Sequence, residues 1–276
     1  MPFTAYLIEA TDWRTTWLVL GAILLVMGVP VACLLRNDPA DMGLQPDGDQ
    51  EPSGAAGPSH PGAAQGPLEV ESWRDSLRSS PYWQLTGAYF VCGATTAIMS
   101  VHFIPHAKDQ GIALSTAATA FGLMSGLNIV GVLITTALAD RFPRKNLLAL
   151  VYAGRGLGYA ALLLAPAPWS IWAFAAIVGF SWWATAPLTT SLTADIYGLK
   201  YLGTLSGISF LAHQIGAAAS IQFAGIMRDM TGSYDLPFAI TGSLLLLATL
   251  SALCIKEQQY SARYQPVTTA PTPSTA

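Results

Sequence analysis

The sequence contains few charged residues. Asp, Glu, Lys and Arg make up only 11% of the 276 residues, whereas hydrophobic residues make up 52%. Soluble domains carry roughly 25% charged residues, so a water-soluble globular protein is excluded. The net charge is −3 and no basic stripe exists, which excludes a nucleic-acid partner.

Residues for metal, disulfide or cofactor chemistry are also scarce. The three cysteines, Cys33, Cys92 and Cys254, lie inside apolar stretches and form no CxxC pair. They predict neither a disulfide framework nor a zinc site. His102 and His106 are one helical turn apart, but no third ligand lies nearby, so no metal site is predicted. No nucleophile–base arrangement or cofactor motif is present, and we therefore expect neither an enzyme nor a bound cofactor.

Long apolar stretches dominate the chain instead. Each can span the hydrocarbon core of a bilayer, which needs about 20 apolar residues of helix. They are continuous rather than alternating, which excludes a β-barrel. The sequence thus predicts an all-α polytopic membrane protein that contacts the lipid bilayer. The seven stretches are residues 15–35, 82–104, 114–139, 146–165, 169–194, 202–227 and 236–255.

The positive charges lie mainly on one side of the predicted spans. Nine basic residues lie in one set of connections and three in the other. Because cytoplasmic loops are rich in Lys and Arg, the N-terminus is expected outside and the C-terminus in the cytoplasm. The cytoplasmic set is Arg36, Arg74, Arg78, Arg141, Arg144, Lys145, Lys200, Lys256 and Arg263, and the outer set is Arg14, Lys108 and Arg228.

The spans divide into one plus six. The first lies in residues 1–35, and residues 36–80 form a cytoplasmic connection rich in Pro, Gly and Ala that predicts a flexible linker. Residues 81–257 hold the other six spans as one bundle. The tail, 258–276, is rich in Pro and Thr towards its end and is expected to be a disordered cytoplasmic tail.

The loop Ala139–Lys145 carries a resemblance to a known family. Its sequence, ADRFPRK, resembles the signature loop of the major facilitator superfamily, written G-x-x-x-D-R-x-G-R-R, although Thr136 and Pro143 replace two of its glycines. Three other stretches are similar to the central loop and the tenth and eleventh helices of bacterial members near the monocarboxylate/oxalate–formate branch. They are Arg36–Leu44, Trp182–Asp195 and Gly203–Tyr234.

The resemblance implies a fold and a function. By the family's numbering, the spans are helices six to twelve: a six-helix C-terminal bundle and one preceding transmembrane helix, with helices one to five absent. The implied activity is alternating-access transport of small organic anions such as monocarboxylates across the bacterial inner membrane, coupled to an ion or proton. A drug-like efflux substrate is the alternative. A truncated, non-transporting half, or a membrane subunit that needs a missing N-terminal half or second subunit, is the other reading.

Polar residues within the spans are candidates for substrate binding, because they are costly in lipid. Arg155 is either a counter-ion for an organic anion or a structural residue paired with a neighbouring helix. His213 shares a helix face with Ser206, Ser209 and Ser220. It either carries a coupled proton in the cavity or is a hydrogen-bonded packing residue.

The tenth-helix segment supplies three more candidates. Trp183, Thr185 and Thr189 are expected to wall the cavity beside Pro187, which removes one helical hydrogen bond. Packing against neighbouring helices is the alternative. Asn128 completes the predicted substrate-binding set, with an interhelical hydrogen bond as its default role.

Two further predictions concern the loop and the glycines. Asp140, Arg141 and Arg144 are expected to form a gating latch, with ordinary anchoring at the cytoplasmic surface as the alternative. Two GxxxG pairs are expected to mediate contacts between helices. They are Gly122/Gly126 and Gly203/Gly207.

Overall fold

A computed structural model of the chain describes residues 7, 10–35, 67–68 and 71–264. The chain divides into two units, residues 1–59 and 60–276. Most of the predicted linker, residues 36–66 and 69–70, and the end of the tail, residues 265–276, lie outside the described residues.

The first unit contains one long helix, α1 (Trp13–Leu34). Asp12 begins it by accepting hydrogen bonds from the backbone N–H groups of Arg14 and Thr15, at 2.7 and 2.9 Å. Such an N-cap satisfies amides that have no partner within the helix. The Thr15 backbone N–H holds the pKa of the Asp12 carboxyl below its usual value. The helix is 22 residues long and contains an 18-residue stretch with a mean hydropathy of 2.5, enough to cross a bilayer.

The second unit contains six further candidate spans. A short helix, α2 (Trp73–Ser76), precedes them, and a short helix and a 3₁₀ turn (Ala262–Tyr264) follow. The helices are α3 (Ser80–Asp109), α4 (Leu114–Ala139), α5 (Arg144–Leu164), α6 (Trp169–Ser181), α7 (Thr185–Tyr197), α8 (Leu202–Thr231), α9 (Asp235–Cys254) and α10 (Glu257–Tyr260). The prediction of an all-α protein with seven membrane spans is confirmed.

Glycines determine how closely the helices approach. The main helix pairs are α3 with α8, α5 with α9, and α4 with α6. Where α3 crosses α8, a Cβ on Gly93 would lie 1.9 Å from the backbone oxygen of His213. A Cβ on Gly216 would likewise lie 2.3 Å from the backbone oxygen of Phe90. Only glycine permits this approach of two backbones.

The two predicted GxxxG pairs do not have this role within the described residues. A Cβ on Gly122, Gly126, Gly203 or Gly207 would meet nothing within 4 Å. The expected helix contacts at these pairs are therefore wrong for the bundle as it is described. Spacing alone does not reveal which face of a helix is turned towards a neighbour.

The interior of the bundle is apolar and its outer surface is apolar as well. Side chains such as Ile98, Phe174 and Leu245 are fully buried. Others, such as Leu157 and Leu246, are more than half exposed. A helix bundle with apolar side chains on both faces fits a hydrocarbon surrounding, since lipid covers the outer face.

Three segments differ from the boundaries that the sequence predicts. The span predicted as continuous over 169–194 is interrupted at residues 182–184, between α6 and α7. The first residues of the predicted tail, up to residue 264, form part of α10 and the 3₁₀ turn, which pack beside α7. The disorder of the tail stays a prediction. The last part of the predicted linker, residues 71–80, forms α2 and begins α3.

Candidate functional site

The interruption between α6 and α7 lies in the middle of a membrane span. Pro187 has no N–H to donate to Trp183, and the Trp183 carbonyl accepts instead from Ala186 N–H, at 3.2 Å. The carbonyls of Ser181 and Trp182, which precede the interruption, need partners from elsewhere. In a membrane such freed groups must be satisfied by neighbouring side chains.

Arg155 of α5 supplies those partners. Its side chain is fully buried, and Nη2 donates to the carbonyls of Ser181 and Trp182, the latter at 2.6 Å. Nη1 donates to α3, to the hydroxyls of Thr95 and Thr96 at 3.3 Å each and to Cys92 Sγ at 3.4 Å. Arg155 thus joins the interrupted span to α3, and this geometry favours the structural alternative for it over the counter-ion role.

Asn128 of α4 binds the same interruption from another side. Its Oδ1 accepts from the backbone N–H of Trp183 at 3.0 Å. The structure therefore brings three predicted site residues to this segment. Asn128 binds the Trp183 backbone N–H, and Arg155 binds the carbonyls of the two preceding residues. The Trp183 ring is 47% exposed, and its buried neighbour Trp182 packs edge-on against Phe121.

Thr185 and His213 both lie beside Cys92 of α3. Thr185, the first residue of α7, is buried with its hydroxyl 3.0 Å from Cys92 Sγ. The His213 ring packs against Tyr89 of α3 and Phe210 of α8, with centroids 4.7 and 5.6 Å away. Its Nδ1 lies 3.0 Å from Gln214 Oε1.

A cavity of about 290 Å³ opens between α3, α7 and α8. Two hydroxyl oxygens at its wall, Thr189 Oγ1 and Ser206 Oγ, are inaccessible and have no hydrogen-bond partner among the described residues. Two of its aromatic walls, Tyr89 and Phe210, are the rings that contact His213. The lining residues are Tyr89, Thr189, Thr190, Thr193, Ser206, Gly207, Ser209 and Phe210.

The three residues predicted to form a gating latch lie at the α4–α5 end of the bundle. Arg144 forms an ion pair with Asp195 of α7, and both side chains are about four-fifths buried. Asp140 and Arg141 are exposed, and their side chains make no ion pair or hydrogen bond in the part of the chain that the structure describes. Of the three residues, the structure therefore brings only Arg144 into a contact between helices.

The C-terminal segment holds this loop. Glu257 is fully buried, and its two oxygens accept from the backbone N–H groups of Arg144 and Lys145, at 2.9 Å each. Arg263 donates to the carbonyls of Ala139, at 2.8 Å, and of Asp140. One side chain thus caps the start of α5 and the other the end of α4, which orders residues 257–264.

The sequence reading missed several of these residues. Cys92, Thr95 and Thr96 contact Arg155, and Asp195, Glu257 and Arg263 contact the loop. Asp195 carried a usable signal, since it is an acidic residue at the end of a span on the side where basic residues gather. The hydroxyls of α3 carried none, because Thr bonded within its own helix gives the same sequence pattern.

The two histidines near the other end of α3 lie among aromatic rings. His102 Nε2 is 3.2 Å from the carbonyl of Ile221, and His106 Nδ1 is 3.9 Å from Asp235 Oδ1. Between them and α8, Tyr234 contacts both rings. No group of three or more His, Cys, Asp or Glu that could hold a metal occurs within the described ranges.

Fold and site together define a polytopic membrane protein with a polar cavity beside an interrupted span. The chain belongs to the Major Facilitator Superfamily, whose family model matches residues 1–221. The family prediction from the loop is confirmed.

Three relatives illustrate the likeness. Monocarboxylate transporter 12-B of Danio rerio is 23% identical over 96% of this chain and 58% of its own length. The uncharacterized MFS-type transporter YcxA of Bacillus subtilis is 26% identical over 83% and 53%. The probable sulfoacetate transporter SauU of Cupriavidus necator is 28% identical over 92% and 60%. The chain thus spans between 53% and 60% of the length of these relatives.

Proposed function

We propose that the chain carries out secondary-active, alternating-access transport of small organic anions. The observation that carries the proposal is the cavity between α3, α7 and α8, with the unpartnered hydroxyls of Thr189 and Ser206. Buried hydroxyls that lack a partner are costly. A bound ligand would supply one once these side chains turn towards the cavity, because both oxygens are inaccessible in the structure. In transporters built of two halves, substrate binds near the midplane between them.

The chemistry of the cavity supports an anion as substrate. Its lining offers hydroxyl donors from Thr, Ser and Tyr and contains no acidic side chain. Carboxylate and sulfonate oxygens accept such hydrogen bonds, and a nearby carboxylate of the protein would repel them. Relatives named as monocarboxylate and sulfoacetate transporters support the same substrate class. A neutral drug-like molecule would leave the hydroxyls poorly matched.

The interruption at residues 182–184 supports alternating access. An interrupted span can bend where its helical hydrogen bonds are missing, and here Arg155 and Asn128 hold it. We assign these two residues to the positioning of the gate, while Trp183, Thr185 and Thr189 lie on or beside it. His213 is the candidate for proton coupling, because its ring contacts two walls of the cavity.

The proposed location is the bacterial inner membrane, with the N-terminus outside and the C-terminus in the cytoplasm. Support comes from the basic residues of the connections, which follow the positive-inside rule. Two bacterial proteins are among the relatives. The α4–α5 loop and α10 then lie at the cytoplasmic surface.

A direct binding experiment tests the site. The double variant Thr189→Ala/Ser206→Ala removes both unpartnered hydroxyls, and Ser243→Ala removes a hydroxyl that bonds only to Ala239 of its own helix. At about 1 kcal/mol for each hydrogen bond, lactate or sulfoacetate affinity should fall about tenfold or more in the double variant and stay unchanged in the control. Equal affinities in all three proteins would refute the site.

A second candidate function is a membrane subunit that transports only with a partner. In this alternative, the partner supplies the other half of the wall around the substrate. An uptake assay in proteoliposomes separates the two candidate functions. One set of proteoliposomes holds this chain alone, and the other also holds a six-helix N-terminal half. Uptake of labelled lactate by the chain alone would reject the subunit, and uptake only with the added half would support it. In either case, proton dependence retained in His213→Ala would reject His213 as the coupling residue.

A further inference from the structure

A second cavity, of about 500 Å³, lies at the α4–α5 end of the bundle, away from the proposed substrate site. It is enclosed by the first residues of α5 and by the segment between α9 and the end of α10. Two of its lining residues, Lys145 and Lys256, are basic, and the others include three amide side chains. The lining residues are Pro143, Lys145, Asn146, Lys256, Glu257, Gln258 and Gln259.

The one acidic residue that lines this cavity, Glu257, already has hydrogen-bond partners in the protein. Both oxygens of Glu257 accept hydrogen bonds from backbone N–H groups of α5, and the side chain is fully buried. Its charge therefore compensates the positive end of the α5 helix dipole. The two lysines consequently give the cavity a positive field.

Lys145 is held in place rather than free in solvent. Its Nζ donates to the carbonyl of Leu253, close to the end of α9, at 3.1 Å. An ammonium group has three donors, so further donors stay available to a ligand. Lys256 follows α9 directly and is exposed. Both basic groups thus lie where two membrane spans meet the headgroup region.

We propose that this cavity binds the phosphate-bearing headgroup of an anionic phospholipid. Basic pockets between spans at the cytoplasmic surface suit such headgroups. The cavity is far larger than a phosphate alone, and the amide side chains of Asn146 and Gln258 can bond to glycerol hydroxyls. The inference rests on the proposed function in one respect, the membrane orientation that places this end of the bundle at the cytoplasmic surface.

The test uses the full chain in a neutral detergent. Phosphatidylglycerol or phosphatidylcholine is added, and lipid adducts are counted by native mass spectrometry while melting temperature is followed in parallel. The site variant is Lys145→Gln/Lys256→Gln. A matched control, Arg78→Gln/Lys200→Gln, removes two exposed positive charges from the same side of the predicted membrane.

Wild type and control should bind phosphatidylglycerol in preference to phosphatidylcholine and melt at a higher temperature with it, because a ligand stabilises the state that binds it. The site variant should bind it about tenfold more weakly or worse. Lys145→Arg/Lys256→Arg should retain binding, which separates lost charge from lost folding.

Three outcomes would overturn the proposal. The first is equal weakening in site variant and control, since attraction would then be general to the surface. The second is equal stabilisation by inorganic phosphate, which would mean a free anion rather than a lipid. The third is no preference for phosphatidylglycerol in wild type. Lipid binding without anion transport would refute the proposed function alone, and the reverse result would refute this inference alone.

Discussion

Arg155 Nη2 donates to the carbonyl of Trp182 at 2.6 Å, and this bond joins α5 to a span that loses its helical hydrogen bonds at that point. The same guanidinium reaches three side chains of α3. One fully buried cation therefore connects three spans. A guanidinium suits this position because its donors form a rigid planar fork, which serves several acceptors at once.

The first prediction concerns replacement of this residue. Arg155→Gln leaves the carbonyls of Ser181 and Trp182 without adequate donors, and each unsatisfied buried group costs about 1 to 3 kcal/mol. We expect a loss of about 3 kcal/mol in the free energy of unfolding, measured by denaturation in mixed micelles. Arg155→Lys should recover only part of it, because an ammonium cannot reproduce the fork.

Thr95→Val is the matched control for that experiment. It removes one of the acceptors on α3 and leaves both carbonyls bound. Interhelical hydrogen bonds in membranes average about 0.6 kcal/mol, which is the expected loss. If Arg155→Gln instead kept wild-type stability and lost only anion affinity, Arg155 would be the counter-ion of the substrate.

The second prediction concerns the crossing of α3 and α8. Gly93→Ala places a Cβ 1.9 Å from the backbone oxygen of His213, so the two helices must separate. Overpacking of this kind costs about 1 to 3 kcal/mol, and the melting temperature in detergent should fall accordingly. Gly87→Ala, in the same helix, meets nothing within 4 Å and should leave it unchanged. Similar melting of the two variants would show that the crossing is not as close as described.

How much the sequence predicted differs between the spans and the site. Length and composition predicted all seven membrane helices, because hydrocarbon thickness imposes a local requirement on each. Arg155 and Asn128 were identifiable as costly polar groups within spans. Their partners were not, because they bind backbone atoms of the 181–183 segment. Every residue type has a backbone carbonyl and nearly every one a backbone N–H, so the sequence does not show which of these groups is bound. Pro187 indicated only that the tenth-helix segment lacks one helical hydrogen bond.

The C-terminal segment shows the same limit for the loop. Residues 265–276 are rich in Pro and Thr, and that composition suggested disorder for the whole tail. Glu257 and Arg263 order the segment before it through backbone N–H and carbonyl groups of a loop more than 100 residues earlier. Such long-range capping depends on the bundle being assembled, so a local pattern does not contain it.

The third prediction concerns the ion pair between α5 and α7. Arg144→Gln and Asp195→Asn each remove one charge of the pair, and the double variant removes both. Since both side chains are about four-fifths buried, we expect a coupling energy of about 1 kcal/mol, at the upper end for exposed pairs. A double-mutant cycle on the free energy of unfolding measures it.

An equivalent cycle with Asp140→Asn and Arg141→Gln is the control. Neither side chain makes an ion pair among the residues that the structure describes, so their coupling should be close to zero. If the Asp140–Arg141 cycle gave the larger coupling energy, the latch would lie in the loop itself, as the family motif suggested. Comparison of the two cycles therefore shows which pair, Arg144–Asp195 or Asp140–Arg141, has the stronger coupling at the α4–α5 end.

The fourth prediction concerns Glu257. Glu257→Gln replaces one capping oxygen by an amide nitrogen, which faces a backbone N–H group of α5 and cannot accept from it. Loss of a cap costs about 0.5 to 2 kcal/mol. Hydrogen exchange at the amides of Arg144 and Lys145 should become faster, because the first turn of α5 opens more often. Gln258→Ala, beside it and exposed, should leave the exchange unchanged. Unchanged protection in Glu257→Gln would mean that α5 begins independently of the C-terminal segment, and α10 would then have no part in holding the loop.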